Sequence, residues 1–233
     1  MKELGIIFSA PMVRAILADR KSVTRRIVKG SPEFHRRARL LDYVSDSVAR
    51  RCHAVFGDSL PDDPVPLRVR CPYGFVDRLW VREQFALSVR DPEAFELDVK
   101  NPSDWDGAAY CATYDGSGEW ERYEEDGTRS KIAPPWRSPR FMPRWASRID
   151  LDVIDVRVER LHEITEEDAL AEGVARTDAG AFVIDGVDFA TARAARDAFE
   201  FGWDRLHERT GGWKANPWVW RIEFARVKGE PTS

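Results

Sequence analysis

Between Arg20 and Arg26 the chain reads Arg-Lys-Ser-Val-Thr-Arg-Arg. Two basic pairs, Arg20-Lys21 and Arg25-Arg26, enclose two hydroxyls, Ser22 and Thr24. Guanidinium and ammonium groups hold anions, and hydroxyls donate to phosphate oxygens, so the least this stretch implies is a phosphate clamp. A turn that only joins two elements needs far less chemistry. A second concentration lies at Pro134-Pro135-Trp136-Arg137-Ser138-Pro139-Arg140-Phe141-Met142-Pro143-Arg144-Trp145. Prolines stiffen it, arginines suit phosphates, and Trp136, Phe141 and Trp145 offer faces on which bases stack. Aromatics in a proline-rich loop also close off the edge of a core, and both readings stand at this point.

These residues must be positioned by elements, and hydrophobic periodicity suggests which. Gly5-Ile6-Ile7-Phe8 reads as a short buried strand. Pro11 suits a first helical turn, with Ser9 or Ala10 at the cap, and Val13, Ile16 and Leu17 recur at helical spacing over 11–20. Ser22 to Val28 reads as extended, which sets Ser22, Thr24 and Arg26 on one face and Val23 on the other. Residues 33–53 are basic and helix-compatible, and prolines break the chain after them. Leu79-Trp80-Val81-Arg82-Glu83-Gln84-Phe85 and 108–114 read as strands, with Asp77 fixing the turn before the first. The polar segments 90–106 and 115–130 read as loops. The alternation from Ile149 to Leu161 predicts a long strand. Thr165-Glu166-Glu167-Asp168 is a helix-capping signature that predicts a helix from Glu166 to Glu172, stopped by Gly173. A small hairpin over 181–189 follows. A helix over 190–209 then has Ala194, Phe199, Trp203 and Leu206 near one face, and a strand over 219–224 closes the chain. The order predicts an α+β fold whose mainly antiparallel or mixed sheet curls into a barrel. No glycine-rich loop follows a strand, which argues against a Rossmann or P-loop nucleotide site.

Composition narrows the class. The chain has 233 residues, 43% hydrophobic and 33% charged, which suits one globular domain with a substantial core. No apolar run is long enough to span a bilayer and no secretory signal is visible, so a cytoplasmic protein is expected. Cys52, Cys71 and Cys111 are widely spaced, with no paired-cysteine motif, so reduced thiols are expected, and neither a metal nor another cofactor. The net charge of −4 hides polarity. Residues 1–53 carry twelve Lys/Arg against five Asp/Glu, 91–130 carry three against twelve, and 131–149 carry five against none. Two basic segments can form a phosphate-attracting face, or the basic and acidic segments can pair across the surface.

The opening stretch resembles the signature of the ASCH domains, relatives of the PUA fold, which read GxKxxTxR after the first helix. Asp19 stands in the glycine position, followed by Lys21, Thr24 and Arg26. Asp77-Arg78-Leu79-Trp80-Val81 resembles the family's GDxLxV strand entry, with Val76 in the glycine position. Leu161 to Val174 resembles its capped short helix and sets Glu172 on the family's catalytic glutamate. Trp220 to Phe224 resembles the last barrel strand. With Phe141 to Arg148 and Asn216-Pro217-Trp218, the pattern is similar to a longer group often encoded by bacteriophages and prophages. The resemblance covers about half of a single domain spanning 1–233, with insertions near 30–75 and 86–145.

The resemblance implies a PUA-like barrel with flanking helices, and a catalytic set of Lys21, Thr24 and Glu172 that hydrolyses the amide of an N-acylated cytidine-type base. Threonine would be the nucleophile, lysine its base, and Glu172 the group that orients water and protonates the leaving amine. Arg20, Ser22, Arg25, Arg26, Arg82, Glu83, Arg144 and Trp145 are the expected contacts to substrate or nucleic acid, whether RNA, DNA or a modified nucleoside. Two other accounts stay open. One is a non-catalytic reader of nucleic acid or a modified base in the same cleft. The other is a protein-binding accessory factor using the acidic segment 91–130. Thr24 as an ordinary strand residue and Glu172 as a plain helix end are the structural alternatives.

Overall fold

A computed structural model describes residues 2–46, 51–58, 67–74, 76–89, 109–113, 120–123, 129–132, 136–178, 180–184, 187–189 and 192–228. In chain order its elements are β1 (Glu3–Ile7), α1 (Ala10–Leu17), β2 (Val23–Ile27), α2 (Pro32–Arg37), β3 (Ala38–Asp46), β4 (Arg51–Asp58), β5 (Leu67–Arg70), β6 (Arg78–Arg82), β7 (Phe85–Val89), β8 (Ala109–Thr113), β9 (Trp120–Tyr123) and β10 (Arg129–Ile132). There follow β11 (Asp150–Arg160), α3 (Glu166–Ala171), β12 (Ala175–Arg176), β13 (Phe182–Ile184), β14 (Val187–Phe189), α4 (Ala195–His207) and β15 (Trp218–Arg226). The α+β class is as expected.

The central sheet has the order β1-β6-β11-β15-β2. β1 runs parallel to β6, and the remaining neighbours are antiparallel. Strict alternation along β15 divides its two faces. Trp218, Trp220, Ile222 and Phe224 join a core with Phe8, Val13, Ile16, Val156 and Val158, roofed by α1, α2 and the β3-β4-β5 sheet. Val219 faces the other way, into a second core with Leu161, Ala169, Phe199 and Trp203 from the α3 and α4 side. A register shift between Val153 and Asp155 re-phases β11 against β15 and leaves Ile154 exposed.

α1 forms as the sequence predicts. The Ser9 hydroxyl accepts from the Met12 N–H, and Val13, Ala15 and Ile16 are buried. Asp19 takes a left-handed conformation (φ 53°), a region that favours glycine, and its carboxylate pairs with Arg226 at 3.1 Å and Lys228 at 3.1 Å. Asp is among the residues other than glycine that enter this region most readily. Val76 needs no glycine either, for its φ is not positive, and the side chain is buried.

Three expectations are corrected. The basic run over 33–53 is helical only across α2; from Ala38 it becomes the β3–β4 pair, whose inward residues Ala38, Cys52, Ala54 and Phe56 join the first core. Tertiary burial overrides helix propensity there. Within 115–130, β9 and the start of β10 form an antiparallel ladder instead of loop, with Arg129 opposite Tyr123. In α4 the buried residues are Ala195, Ala198, Phe199, Gly202 and Trp203, whereas Leu206 is exposed. The expected loop over 90–106 lies outside the described residues.

No backbone ladder joins β1 to β2 among the described residues, so the sheet is open and those strands are its edges. The edges are nonetheless bridged by a side chain. The Arg26 guanidinium donates to the Ile7 carbonyl at 2.6 Å and lies 5.2 Å from the Phe8 ring centroid. The described helices include none long and apolar enough to cross a membrane.

Candidate functional site

Register places three arginines side by side. Arg25 on β2 lies opposite Arg221 on β15, which lies opposite Arg157 on β11. Like charges in direct cross-strand positions repel, so this row exists only because acids interleave with it. Glu159 and Glu223 come from the same strands, and Asp168 and Glu172 come from α3 above. Arg25 is the hub. Its Nη2 meets Asp168 Oδ2 at 2.6 Å, its Nε donates to Glu159 Oε1 at 2.8 Å, and its Nη1 donates to Glu172 Oε1 at 3.2 Å. Arg221 donates to Asp168 Oδ1 at 2.9 Å and to Glu223 at 2.9 Å. Arg157 closes the row by donating to Glu159 at 3.1 Å.

The helix that supplies the acids is fixed at both ends. The Thr165 hydroxyl accepts from the Asp168 N–H, so Asp168 stands at the third helical position with its carboxylate turned down onto the arginines. At the other end, the Gly173 N–H donates to Leu170 and the Val174 N–H to Ala169, with Gly173 at φ 103°. This is the Schellman closure, and it sets Glu172 at the cap. A side chain at Gly173 would also press on Ala15 and Lys21 at 3.3 and 3.4 Å, so glycine is required twice over.

Glu172 reaches Lys21. The ammonium donates to Glu172 Oε2 at 2.6 Å and to the Glu172 carbonyl at 2.7 Å, joining residues 151 apart in sequence. Lys21 lies two residues before the edge strand β2, and its Nζ also lies 5.8 Å from the Phe8 ring centroid. The Lys21 side chain is 0% exposed and that of Glu172 is 5%, so both charges have left water and depend on each other. Burial would lower the Arg25 pKa, but Glu172, Glu159 and Asp168 outweigh it and raise it. Burial pushes the Asp168 carboxyl up, while its hydrogen bond from Arg221 and the charge of Arg25 pull it below the ordinary aspartate value. The Arg26 pKa is lowered, since burial outweighs the pull of Tyr73 and Glu172.

Beside the Lys21–Glu172 pair opens a cleft of about 160 Å³. Met12 and Val183 line it with apolar surface, Glu172 and Gly173 form part of its wall, and the exposed Arg14 and Arg20 sit at its rim. Thr24 is buried on β2 opposite Ile222, on the sheet face away from Arg25. Ser22 is exposed, and its backbone is tied to both α3 and β15. Its N–H donates to Ala171 and its carbonyl accepts from Phe224.

The other expected contacts gather elsewhere. Arg82 stacks over Trp80 with 4.4 Å from its guanidinium carbon to the ring centroid, and Arg144 lies 5.9 Å from the same ring. Arg144 is held by Glu3 at 2.7 Å and Asp150 at 3.0 Å. Glu83 is buried and takes a bidentate pair from Arg148, at 3.0 and 3.1 Å. Trp145 packs against Phe85, Met142 and Ala146. Phe141 alone of the expected stacking residues stands well out, 73% exposed, with Arg137 and Arg140 exposed nearby. Of the set the resemblance implied, Lys21 and Glu172 are in contact, whereas Thr24 lies on the other face of β2; Arg25, expected as a substrate contact, is instead paired with Glu159, Asp168 and Glu172. Sequence reasoning missed Glu159, Asp168 and Arg221, whose only signal was charged residues on the inward phase of strands and at a helix start. Among the described residues no cluster of His, Cys, Asp and Glu suited to a metal occurs. Comparison with known protein families, with curated proteins and with solved structures finds no match.

Proposed function

We propose that this chain is an ASCH-type, PUA-like protein that hydrolyses the exocyclic amide of an N-acylated cytidine-type base, with Lys21, Thr24 and Glu172 as its reactive set. The buried Lys21–Glu172 pair carries this reading, because its Nζ and Oε2 are 2.6 Å apart. A buried pair of opposite charge can pass a proton internally without changing the net charge of the site. The neutral amine so formed is the base that a threonine hydroxyl requires, and the protonated Glu172 is the acid that a leaving exocyclic amine requires. In the roles the resemblance gives, Thr24 oxygen would attack the acyl carbon while its proton passes to Lys21, and the Arg26 guanidinium would steady the oxyanion. Thr24 and Arg26 share the face of β2 away from Arg25, so the acyl group would have to reach beyond the cleft that Glu172 lines. Collapse would expel the base with a proton from Glu172, and water, activated by the same pair, would release the carboxylic acid and restore Thr24. The cleft beside Glu172 would admit the base between Met12 and Val183, with Arg14 and Arg20 at its rim drawing any phosphate. The Arg26 bridge between the two edge strands supports the PUA-like barrel, closed by a side chain instead of a ladder.

The test is turnover of N-acylated cytidine and deoxycytidine nucleosides, followed by chromatography of the freed base. Wild type should release it, and Lys21→Ala, Thr24→Ala and Glu172→Gln should each lose at least about a hundredfold in rate. Absence of turnover by the folded wild type across the acyl series sinks the reading.

The exposed Phe141, with Arg137 and Arg140, favours a second reading, a non-catalytic reader of RNA, DNA or a modified base. Binding to single-stranded RNA or DNA would then weaken with salt and be lost in Phe141→Ala. Binding without a salt slope removes the phosphate argument.

A further inference from the structure

Cys52 and Cys71 take no part in the site described above. β4 and β5 are antiparallel with His53 opposite Arg70, and the next step of that register sets Cys52 opposite Cys71. The Cys71 N–H donates to the Cys52 carbonyl at 2.9 Å. Opposed residues of a hydrogen-bonded antiparallel pair hold their Cα atoms about 5.5 Å apart, inside the span of about 4.4–6.8 Å that a disulfide bridges. Their side chains leave the same face of the ladder. The two thiols hydrogen-bond each other, and the Tyr43 hydroxyl lies 3.3 Å from Cys52 Sγ. Both are buried and neither is in a disulfide. The turn after Cys71 closes on the pair, for a side chain at Gly74 would collide with Cys52 Cβ. The hydrogen bond from Cys71 lowers the Cys52 thiol to about 7 against the effect of burial, and Tyr43 adds to the lowering. That bond and burial raise the Cys71 thiol.

The geometry points to Cys52 and Cys71 as a reversible dithiol–disulfide site, oxidised by a hydroperoxide, with Cys52 as the attacking sulfur and Cys71 as the resolving one. The Cys52 thiolate attacks the outer peroxide oxygen, the O–O bond breaks, and Cys52 becomes a sulfenic acid while the departing oxygen takes a proton. Cys71 sulfur then attacks Cys52 sulfur, expels hydroxide, and gives up its own proton to form water. The sulfurs together lose two electrons, and the peroxide is reduced to water or an alcohol. The bridge would pin the Cys71-Pro72-Tyr73-Gly74 turn to β4, and Tyr73 in that turn faces Arg26. Oxidation thereby reaches the neighbourhood of β2 through one turn.

Folded full-length chain is treated with hydrogen peroxide, denatured, alkylated and mapped by peptide mass spectrometry. The expected result is a Cys52–Cys71 cross-link with two hydrogens lost per chain. It should be reversed by dithiothreitol and absent from Cys52→Ser and Cys71→Ser. Cys71→Ser should instead accumulate a Cys52 sulfenic acid that dimedone traps. Mapping wild type beside Cys111→Ser makes the assignment independent of how that variant folds. Both thiols remaining alkylatable after peroxide, Cys52 passing to sulfinic acid without a bridge, or a bridge to Cys111 would each overturn the proposal.

Discussion

Two regions on one face of the central sheet, at its opposite ends, carry arginine–carboxylate groups at nearly the same distances, and they differ in water. Under α3, at the β2 end, Arg25 meets Asp168 at 2.6 Å with side chains 0% and 11% exposed. At the β1 end, Arg144 meets Glu3 at 2.7 Å, but those side chains are 38% and 28% exposed. Distance does not rank these pairs. A unit-charge pair at contact is worth about 1 kcal/mol in water and about 4 kcal/mol at the effective dielectric near a protein surface, and removing one partner of a buried group strands the rest. The first region is therefore a structural commitment around Lys21 and Glu172, and the second an adjustable surface.

The largest effect should follow from Arg25→Met. It leaves Glu159, Asp168 and Glu172 facing one another without their shared cation, and unfolding in urea should show a loss of about 3–5 kcal/mol. A loss below about 1 kcal/mol would mean that solvent reaches the cluster and that the two regions are alike. Lys21→Met alone should cost nearly as much as Arg25→Met. Lys21→Met combined with Glu172→Leu should cost less than Lys21→Met alone, since an apolar pair in place of a buried ion pair is often neutral. Activity discriminates where stability does not. The double variant should stay folded yet release no base from acylated cytidines.

Acid should act on the buried region next. The Asp168 carboxyl is lowered because the Arg221 hydrogen bond and the charge of Arg25 outweigh burial. The folded chain then binds that proton less readily than the unfolded chain. Stability is fully present above the unfolded aspartate pKa of about 3.9, and is lost as pH falls through the folded value below it. Unfolding free energy measured from pH about 6 down to about 2 should fall in that window, and Asp168→Asn should flatten the fall. An unchanged slope in Asp168→Asn would assign the acid sensitivity to other carboxylates.

Much of the frame around the buried region was legible in residue order. The Ser9 and Thr165 caps, the Gly173 stop and the alternation of β11 are local signals, and each forms as its chemistry predicts. Lys21 and Glu172 were paired only through a resemblance, since nothing local joins residues so far apart. The arginine row was illegible for a different reason. Arg25 sits between Thr24 and Arg26 in a basic run, and only the register with β15 and β11 shows it facing Arg221 with acids above. The run over 33–53 was misread because its charges suit a helix, while Ala38, Ala54 and Phe56 obey a strand's phase once a sheet packs over them. Arg144 and Trp145 were read as phosphate and base contacts because Glu3 and Phe85 are remote in sequence from the motif they hold, and Asp150, six residues after Arg144, was read only as the start of a strand.

The smallest effect should come from Arg144→Ala. Its partners Glu3 and Asp150 stay partly hydrated when it is gone, and Trp80 keeps Arg82 stacked over its ring. A double-mutant cycle of Arg144→Ala with Glu3→Gln should therefore give a coupling of about 0.2–1 kcal/mol. Raising ionic strength to about 1 M, where the Debye length is about 3 Å, should erase most of it. The Arg25–Asp168 coupling, shielded by α3, should survive the same salt. If both couplings vanish together, burial under α3 does not separate the two regions; if Arg144 couples as strongly as Arg25, the exposed pair is held by more than charge, and its stack on Trp80 is the first contact to remove.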